Sequence, residues 1–140
     1  MRKDYRLPLA LLSLRLSVFL VMLMWNLDKF FNPSHTAAIF EKFYFISGLS
    51  HNIFYGIGLI QLIILLGFVT GWQKKFTYLL VLIFHSVSTF STFKQYFDPF
   101  NNLLLFAAWP MLAACFSLYL LRNFDTLLSV DARSLTKSEV

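Results

Sequence analysis

The chain has 140 residues, of which 14% are charged, 58% hydrophobic and 19% aromatic, and its formal net charge is +5. A soluble domain of this size has about a quarter charged residues and too little interior to bury so much apolar surface. This composition therefore indicates an integral membrane protein. The cations lie at the edges of apolar runs and form no basic stripe, so we expect no nucleic-acid partner. The single cysteine, Cys115, excludes dithiol chemistry within the chain.

Four apolar segments are each close to the roughly 20 residues that span a bilayer as a helix. None alternates apolar and polar residues as barrel strands do. We therefore predict an all-α, integral membrane four-helix bundle in residues 1–128, followed by a cytoplasmic tail at 129–140. The predicted spans are about 7–27, 53–72, 76–93 and 103–121.

The distribution of lysine and arginine predicts the orientation of the bundle. Most of them fall on one side of the predicted spans, namely Arg2, Lys3, Arg6, Lys74, Lys75, Arg122, Arg133 and Lys137. The positive-inside rule then places both termini in the cytoplasm.

Two further segments lie outside the predicted spans. In the first external connection, apolar residues recur at helical spacing after Pro33 and Ser34, which predicts a short amphipathic helix at about 36–47 that covers the bundle. The polar residues from 123 to 140 lack a clear apolar face, so we expect a partly disordered tail.

Three polar residues interrupt the predicted spans. Arg15, Gln61 and His85 lie about 12 to 16 Å from the cytoplasmic ends of their segments, at a rise of about 1.5 Å per residue. Because a buried arginine needs hydrogen-bond acceptors, which Gln61 or a neutral His85 would supply, we expect the three to form one layer. The alternatives are that Arg15 snorkels to the headgroups and that His85 and Gln61 only hold helices together.

Polar stripes on two predicted helices suggest a pocket that opens outward. On the third helix the stripe consists of His85, Ser88, Thr89, Thr92 and Tyr96, and on the first of Arg15, Met22, Asn26 and Lys29. The predicted ligand-binding residues are Arg15, Gln61, His85, Trp25, Tyr44 and Trp109. An outer polar cluster is predicted from Asp28, Lys29, His35, Lys94 and Asp98, with Asp28 or Asp98 paired to Lys94. We predict no metal site, because His35, Glu41 and His51 lack ligand spacing on one helical face.

Several motifs together resemble the DoxX-like family of small bacterial membrane proteins. They are an arginine early in the first helix, W-x-x-D-K-F at 25–30, F-x-x-F-Y at 40–44, HSVSTFSTFKQY at 85–96 and AAWPMLAA at 107–114. The similarity covers about residues 10 to 128. It implies a four-helix bundle in the bacterial inner membrane. Some members of this functionally mixed group are associated with quinone-linked oxidation of sulfur compounds or with thiol redox stress. Those roles are not carried over to this chain, because the group has no agreed catalytic motif that could be matched.

Three functions fit these features. The leading one is an accessory or ligand-binding membrane subunit whose pocket takes a quinone or lipid-like molecule, because such a site needs polar groups at one end of an aromatic wall. The second is a subunit of a quinone-linked oxidoreductase, with His85 as proton carrier. The third is a structural or assembly partner. The sequence leaves open whether the chain is an enzyme, and so small a membrane protein suggests a protein partner or a homo-oligomer.

Overall fold

The computed structural model describes residues 4–138, and in that range the protein consists of helices joined by turns and loops, with no strand. Arg2 and Lys3, which contributed to the predicted orientation, lie outside the described residues, as do 139 and 140 of the tail. The helices are α1 (Arg6–Phe31), α2 (Pro33–Ile39), α3 (His51–Thr70), α4 (Lys74–Ser91), α5 (Ala108–Leu120) and α6 (Val130–Ser138). The prediction of an all-α chain is confirmed.

Three helical stretches within the described residues are long and apolar enough to cross a membrane: Arg6–Phe31, His51–Thr70 and Leu103–Leu120. The fourth long helix, α4, is more polar, because it begins with Lys74 and Lys75 and buries a stripe that includes Thr77, His85 and Thr89. This stripe faces inward, against the other helices. The composition of α4 thus reflects the polar residues on its buried face.

The four long helices pack in a closed order, in which α1 contacts α3, α3 contacts α4, α4 contacts α5 and α5 contacts α1. The buried core is small and lies between all four: Leu11, Val18, Leu65, Phe68, Tyr78, Val81, Cys115 and Leu118. Many large apolar side chains remain on the outer faces, among them Leu20, Ile60, Phe90 and Phe116, each more than half exposed. A surface of this kind suits lipid better than water.

Glycines allow the helices to approach closely at two points. A Cβ atom on Gly58 would lie 2.8 Å from the ring of Phe30, so glycine lets α1 and α3 touch. Gly71 ends α3 in the left-handed conformation, with φ of 64°, and a Cβ there would lie 2.6 Å from the guanidinium of Arg15. The chain reverses direction within a few residues of Gly71, since α3 ends at Thr70 and α4 begins at Lys74.

Two predicted helices differ in detail from the structure. The amphipathic segment at 36–47 is instead a short α-helix, Pro33–Ile39, continued by a π-helical turn, Phe40–Tyr44, and closed by Phe45 in the left-handed conformation. The fourth predicted span begins as a 3-10 segment, Leu103–Ala107, before α5. Pro110 has no N–H and so cannot make the usual α-helical hydrogen bond to the preceding turn. The backbone N–H of Ala108 donates to the backbone oxygens of Leu105 and Phe106.

The C-terminal segment is ordered against the bundle, so the expectation of a partly disordered tail is wrong for the described part. Helix α6 lies beside the turn between α3 and α4. Both oxygens of Asp131 accept hydrogen bonds from backbone N–H groups at the start of α4, from Gln73 and Lys74, each at 2.9 Å. Ser129, just before α6, is fully buried against Gly71.

Candidate functional site

A cavity of about 830 Å³ runs between α1, α4 and α5 and extends to α2 and the π-helical turn. Its walls are mostly apolar, with a small number of polar groups placed at separate points. Four residues predicted as ligand-binding line it: Trp25, Tyr44, Gln61 and His85. A mainly apolar cavity of this size with sparse polar groups is typical of small-molecule sites.

His85 forms the polar part of the wall contributed by α4. Its ring is 1% exposed, and Nε2 lies 2.9 Å from the backbone oxygen of Ala108 on α5. Because a carbonyl only accepts, Nε2 carries the hydrogen in this contact, and in a neutral ring Nδ1 is then an acceptor. Nδ1 is buried without a hydrogen-bond partner in the structure. The Trp25 indole stacks beside this ring, with centroids 6.0 Å apart and planes 24° apart.

Asn26 supplies a second polar group, from α1. Its side chain is 2% exposed, and its Nδ2 donates to the backbone oxygen of Gly58 on α3 at 3.0 Å. This contact fixes the amide orientation, since the reverse orientation would set two oxygens against each other. The Oδ1 atom is consequently directed elsewhere, and it too is buried without a partner. Two residues of the cavity wall, one on α1 and one on α4, thus each have one acceptor atom without a partner.

Several hydroxyl groups that line the cavity already donate their hydrogens within the protein. Ser17 donates to Ser13 O at 2.8 Å, Ser91 to Ser88 O at 2.8 Å and Thr92 to Thr89 O at 2.9 Å. Such bonds to the preceding turn are common for serine and threonine in apolar helices. Gln61 and Ser88 are half-buried and can either donate or accept.

The end of the cavity near α2 carries charge. Asp28 Oδ2 lies 2.7 Å from His35 Nδ1 and accepts a hydrogen bond from Thr36 at 3.2 Å. Lys29 also lines this end, and its Nζ reaches the Trp25 backbone oxygen at 3.4 Å. Asp28, Lys29 and His35 of the predicted outer cluster therefore lie together.

The other two members of that cluster lie elsewhere. The Lys94 ammonium is 4.9 Å from the centre of the Phe45 ring, and Asp98 accepts a hydrogen bond from Asn101 at 2.8 Å. Neither is among the residues that line the cavity. The predicted ion pair of Lys94 with Asp28 or Asp98 is wrong, because the carboxylates have nearer partners and Lys94 packs on an aromatic ring.

Trp109 and Arg15, both predicted as ligand-binding, are not among the residues that line the cavity. The Trp109 ring packs against Phe90 and Tyr96, at centroid distances of 6.0 and 5.5 Å. Arg15 belongs to a separate cluster, nearer the end of the fold where α1 begins. The predicted layer of Arg15, Gln61 and His85 is therefore wrong, although all three lie on long helices.

Arg15 is completely buried and reaches the segment after α5. Its Nη1 is 3.5 Å from Asp125 Oδ2 and 3.2 Å from the Tyr78 hydroxyl, which itself donates to Asp125 at 2.6 Å. Its Nη2 donates to the Leu127 backbone oxygen. Arg15 is thus neutralised by a protein carboxylate, and it neither snorkels to the surface nor faces the cavity.

Lys74, ahead of the apolar part of α4, extends this cluster. Its Nζ donates to the backbone oxygens of Arg122 and Asp125, at 2.9 and 3.0 Å. Burial lowers the pKa of Lys74, an effect that the Asp125 and Asp131 carboxylates oppose. Sequence reasoning missed Asp125 as the partner of Arg15. The available signal was that a buried arginine needs an acid and that Asp125 follows the last span by only a few residues.

Comparison with protein-family models, with curated proteins and with solved structures finds no match for this chain. The structure itself defines the class: an all-helical protein with three helices able to cross a membrane, compatible with a membrane protein, and a deep cavity between its long helices.

Proposed function

We propose that this protein is a small multi-pass membrane protein that binds an amphipathic molecule, a quinone or a lipid, in the cavity between α1, α4 and α5. In this proposal it acts as an accessory or ligand-binding subunit, and the bacterial inner membrane is the location that its resemblance to DoxX-like proteins implies. The observation that carries the proposal is the cavity of about 830 Å³, with Trp25 stacked beside His85 in a mainly apolar wall.

The shape of the cavity suits a molecule with a long apolar part. Its lining on α1 extends from Leu14 to Lys29, a rise of about 22 Å at about 1.5 Å per residue. The polar groups are spread along this length, so a ring or headgroup can meet His85 and Asn26 while a chain follows the apolar wall. A small, water-soluble substrate would leave most of the apolar wall of the cavity without contact.

In this proposal α4 also crosses the bilayer, and both termini face the cytoplasm. The polar stripe of α4 is turned toward its neighbours, so that its lipid-facing residues, such as Ile83, Val87 and Phe90, are apolar and exposed. A helix with this distribution can cross a bilayer although its overall composition is less apolar than that of the other three. The cations at the start of α4, Lys74 and Lys75, lie at the end of the fold that holds the start of α1 and α6.

The proposal is tested with two neighbouring alanines of α5. Ala114 lines the cavity, whereas Ala113 is exposed and lies outside it. Native mass spectrometry of gently purified protein, followed by extraction of the bound molecules, would compare wild type, Ala114→Phe and Ala113→Phe. We expect a bound quinone or lipid in wild type and in Ala113→Phe, and its loss from Ala114→Phe, because phenylalanine fills the cavity.

A bound molecule retained equally in both variants would place its site outside the cavity and contradict the proposal. Absence of any bound molecule from wild type, together with no uptake of added quinone or lipid, would contradict it as well. The same spectra report whether the protein is a monomer or a homo-oligomer.

A further inference from the structure

We propose that the molecule bound in this cavity donates hydrogen bonds from hydroxyl groups, as a quinol or a lipid alcohol does, and that a ligand able only to accept them binds more weakly. This inference rests on the proposed function and narrows it. It stands on two orphaned acceptors, His85 Nδ1 and Asn26 Oδ1, on residues that line the cavity.

The acceptor character of both atoms follows from the contacts on their other sides. His85 gives its Nε2 hydrogen to the Ala108 carbonyl, and Asn26 gives an amide hydrogen to the Gly58 carbonyl. A doubly protonated His85 would be a buried cation, which requires a counter-charge. No carboxylate of residues 4–138 lies within ion-pair distance of the ring. His85 is therefore neutral, with its free lone pair on Nδ1.

A buried acceptor without a partner is costly, so a ligand that supplies the missing donor gains affinity. Neither acceptor receives a hydrogen from the wall in the structure, and three of the lining hydroxyl groups are committed, since Ser17, Ser91 and Thr92 donate to backbone oxygens of their own helices. A quinone carbonyl would add a third acceptor near His85 and Asn26. A hydroxyl satisfies one of them and keeps the same apolar contacts.

The aromatic environment favours a flat head group over a branched one. Trp25 lies beside His85 at a small interplanar angle, and both belong to the cavity wall. A phenolic ring can pack against the Trp25 indole while its hydroxyl approaches the imidazole nitrogen in the plane of the His85 ring. The shared chemistry is a hydroxyl on an amphiphile, and the experiment below separates a phenolic source from a lipid source.

The test uses sets of related ligands of which only one member carries hydroxyl donors. Isothermal titration calorimetry under inert gas would compare a short-chain quinone, its two-electron-reduced quinol and the dimethyl ether of that quinol, each added to detergent-solubilised wild type. We expect the quinol to bind about tenfold more tightly than the ether and the quinone, the difference that one hydrogen bond makes. A monoacylglycerol and its dimethyl ether form a second pair, for a lipid alcohol.

Variants then locate the acceptor. His85→Phe should remove most of the difference between quinol and ether, whereas Ser86→Ala, whose hydroxyl bonds to Leu82 O outside this cavity, should retain it. The comparison of ligands in wild type decides the question even if His85→Phe does not fold.

Each outcome separates the two proposals. Preference for the hydroxylated member of either pair supports the inference and identifies its source. Equal binding of all members of both pairs, with loss of binding in Ala114→Phe, would overturn the inference and leave the ligand-binding function standing, because water would then serve the two acceptors. Failure of every ligand to bind wild type would overturn both.

Discussion

At the scale of single residues, the pair of Arg15 and Asp125 is the most sensitive point of the molecule. Both side chains are completely buried, and the pair joins α1 to the segment after α5. A buried ion pair contributes little net stability, but removal of one partner leaves an uncompensated charge and costs about 3 to 5 kcal/mol. We therefore expect Asp125→Ala to lower the free energy of unfolding by about that amount, measured by unfolding with increasing SDS in mixed micelles.

The double substitution Arg15→Met with Asp125→Leu is the matched test of this explanation. Because it removes both charges together, it should lose less stability than Asp125→Ala alone. Lys75→Met, at an exposed cation of the adjacent turn, should change stability by less than about 0.5 kcal/mol. If the double variant is no more stable than Asp125→Ala, the charges are not the source of the effect.

Gly71 and Gly56 give opposite predictions for the same substitution. At Gly71 an alanine would need a left-handed conformation, and its Cβ would lie 2.8 Å from Ser129 Oγ. At Gly56, within α3, a Cβ meets nothing within 4 Å. Gly71→Ala should therefore lower the midpoint temperature of unfolding. Gly56→Ala should raise the stability by about 0.5 to 1 kcal/mol, because alanine is the better helix former.

Thermal unfolding of the two variants in the same detergent checks the contrast. A loss of stability in Gly56→Ala as large as that in Gly71→Ala would mean that α3 itself tolerates no side chain on that face, contrary to the open space at Gly56.

At the scale of elements, α6 caps α4 from a distant part of the chain. Gln73, at the start of α4, is in the left-handed conformation and makes no side-chain cap hydrogen bond. Asp131 caps the helix instead, because its carboxylate accepts hydrogen bonds from the backbone N–H groups of Gln73 and Lys74. A carboxylate also interacts favourably with the positive end of the helix. We expect Asp131→Ala to cost about 0.5 to 2 kcal/mol of stability.

Asp131→Asn separates the two contributions, since it keeps an acceptor and loses the charge. We expect the unfolding midpoint of Asp131→Asn to lie between those of wild type and Asp131→Ala in the same SDS titration. No loss in Asp131→Ala would show that water satisfies these N–H groups equally well, and that α6 does not stabilise the start of α4.

The elements that were predictable from the sequence are those set by length and apolar composition. Helices α1 and α3 lie within a few residues of their predicted bounds, because about 20 mostly apolar residues in a row have few alternatives. Helix α5 begins later than its predicted span, at Ala108, after a 3-10 segment. Helix α6 was missed, since its residues lack an apolar face and it is held by Asp131 and Ser129 instead. The π-helical turn at Phe40–Tyr44 was missed because a single turn of i→i+5 hydrogen bonding within an apolar stretch has no distinct sequence pattern.

The candidate site was partly predictable for a similar reason. Trp25, Gln61 and His85 interrupt or flank apolar runs, which marks them as unusual in a membrane, and they line the cavity. Depth along the helix axis gave no information on the face that each residue occupies, so Arg15 was assigned to the same layer as His85. The orphaned acceptor on Asn26 depends on its contact with Gly58 in another helix, which no local pattern contains.

At the scale of the whole molecule, the start of α1, the turn at 73–75 and α6 lie at one end of the fold, and the π-helical turn lies at the other end. With four crossings, Lys75 and Lys42 must then face opposite sides of the membrane. Both are exposed. In a Cys115→Ala background, Lys42→Cys should react with a membrane-impermeant maleimide in intact spheroplasts, and Lys75→Cys should react only after lysis.

Reaction of both cysteines in intact spheroplasts, or protection of both, would contradict four crossings. Reaction of Lys75→Cys alone would reverse the proposed orientation and keep the number of crossings.

The contact between Arg15 and Asp125 also sets an order of events during synthesis. The acid emerges from the ribosome about 110 residues after the arginine, a delay of roughly 5 to 20 seconds at ordinary rates of translation. If the chain inserts with the proposed four crossings, α1 carries a charge in the bilayer throughout that interval that the chain does not yet neutralise. The first helix would then enter the membrane before its own counter-charge exists, and the insertion machinery or headgroup phosphates would have to shelter it until the last helix is delivered.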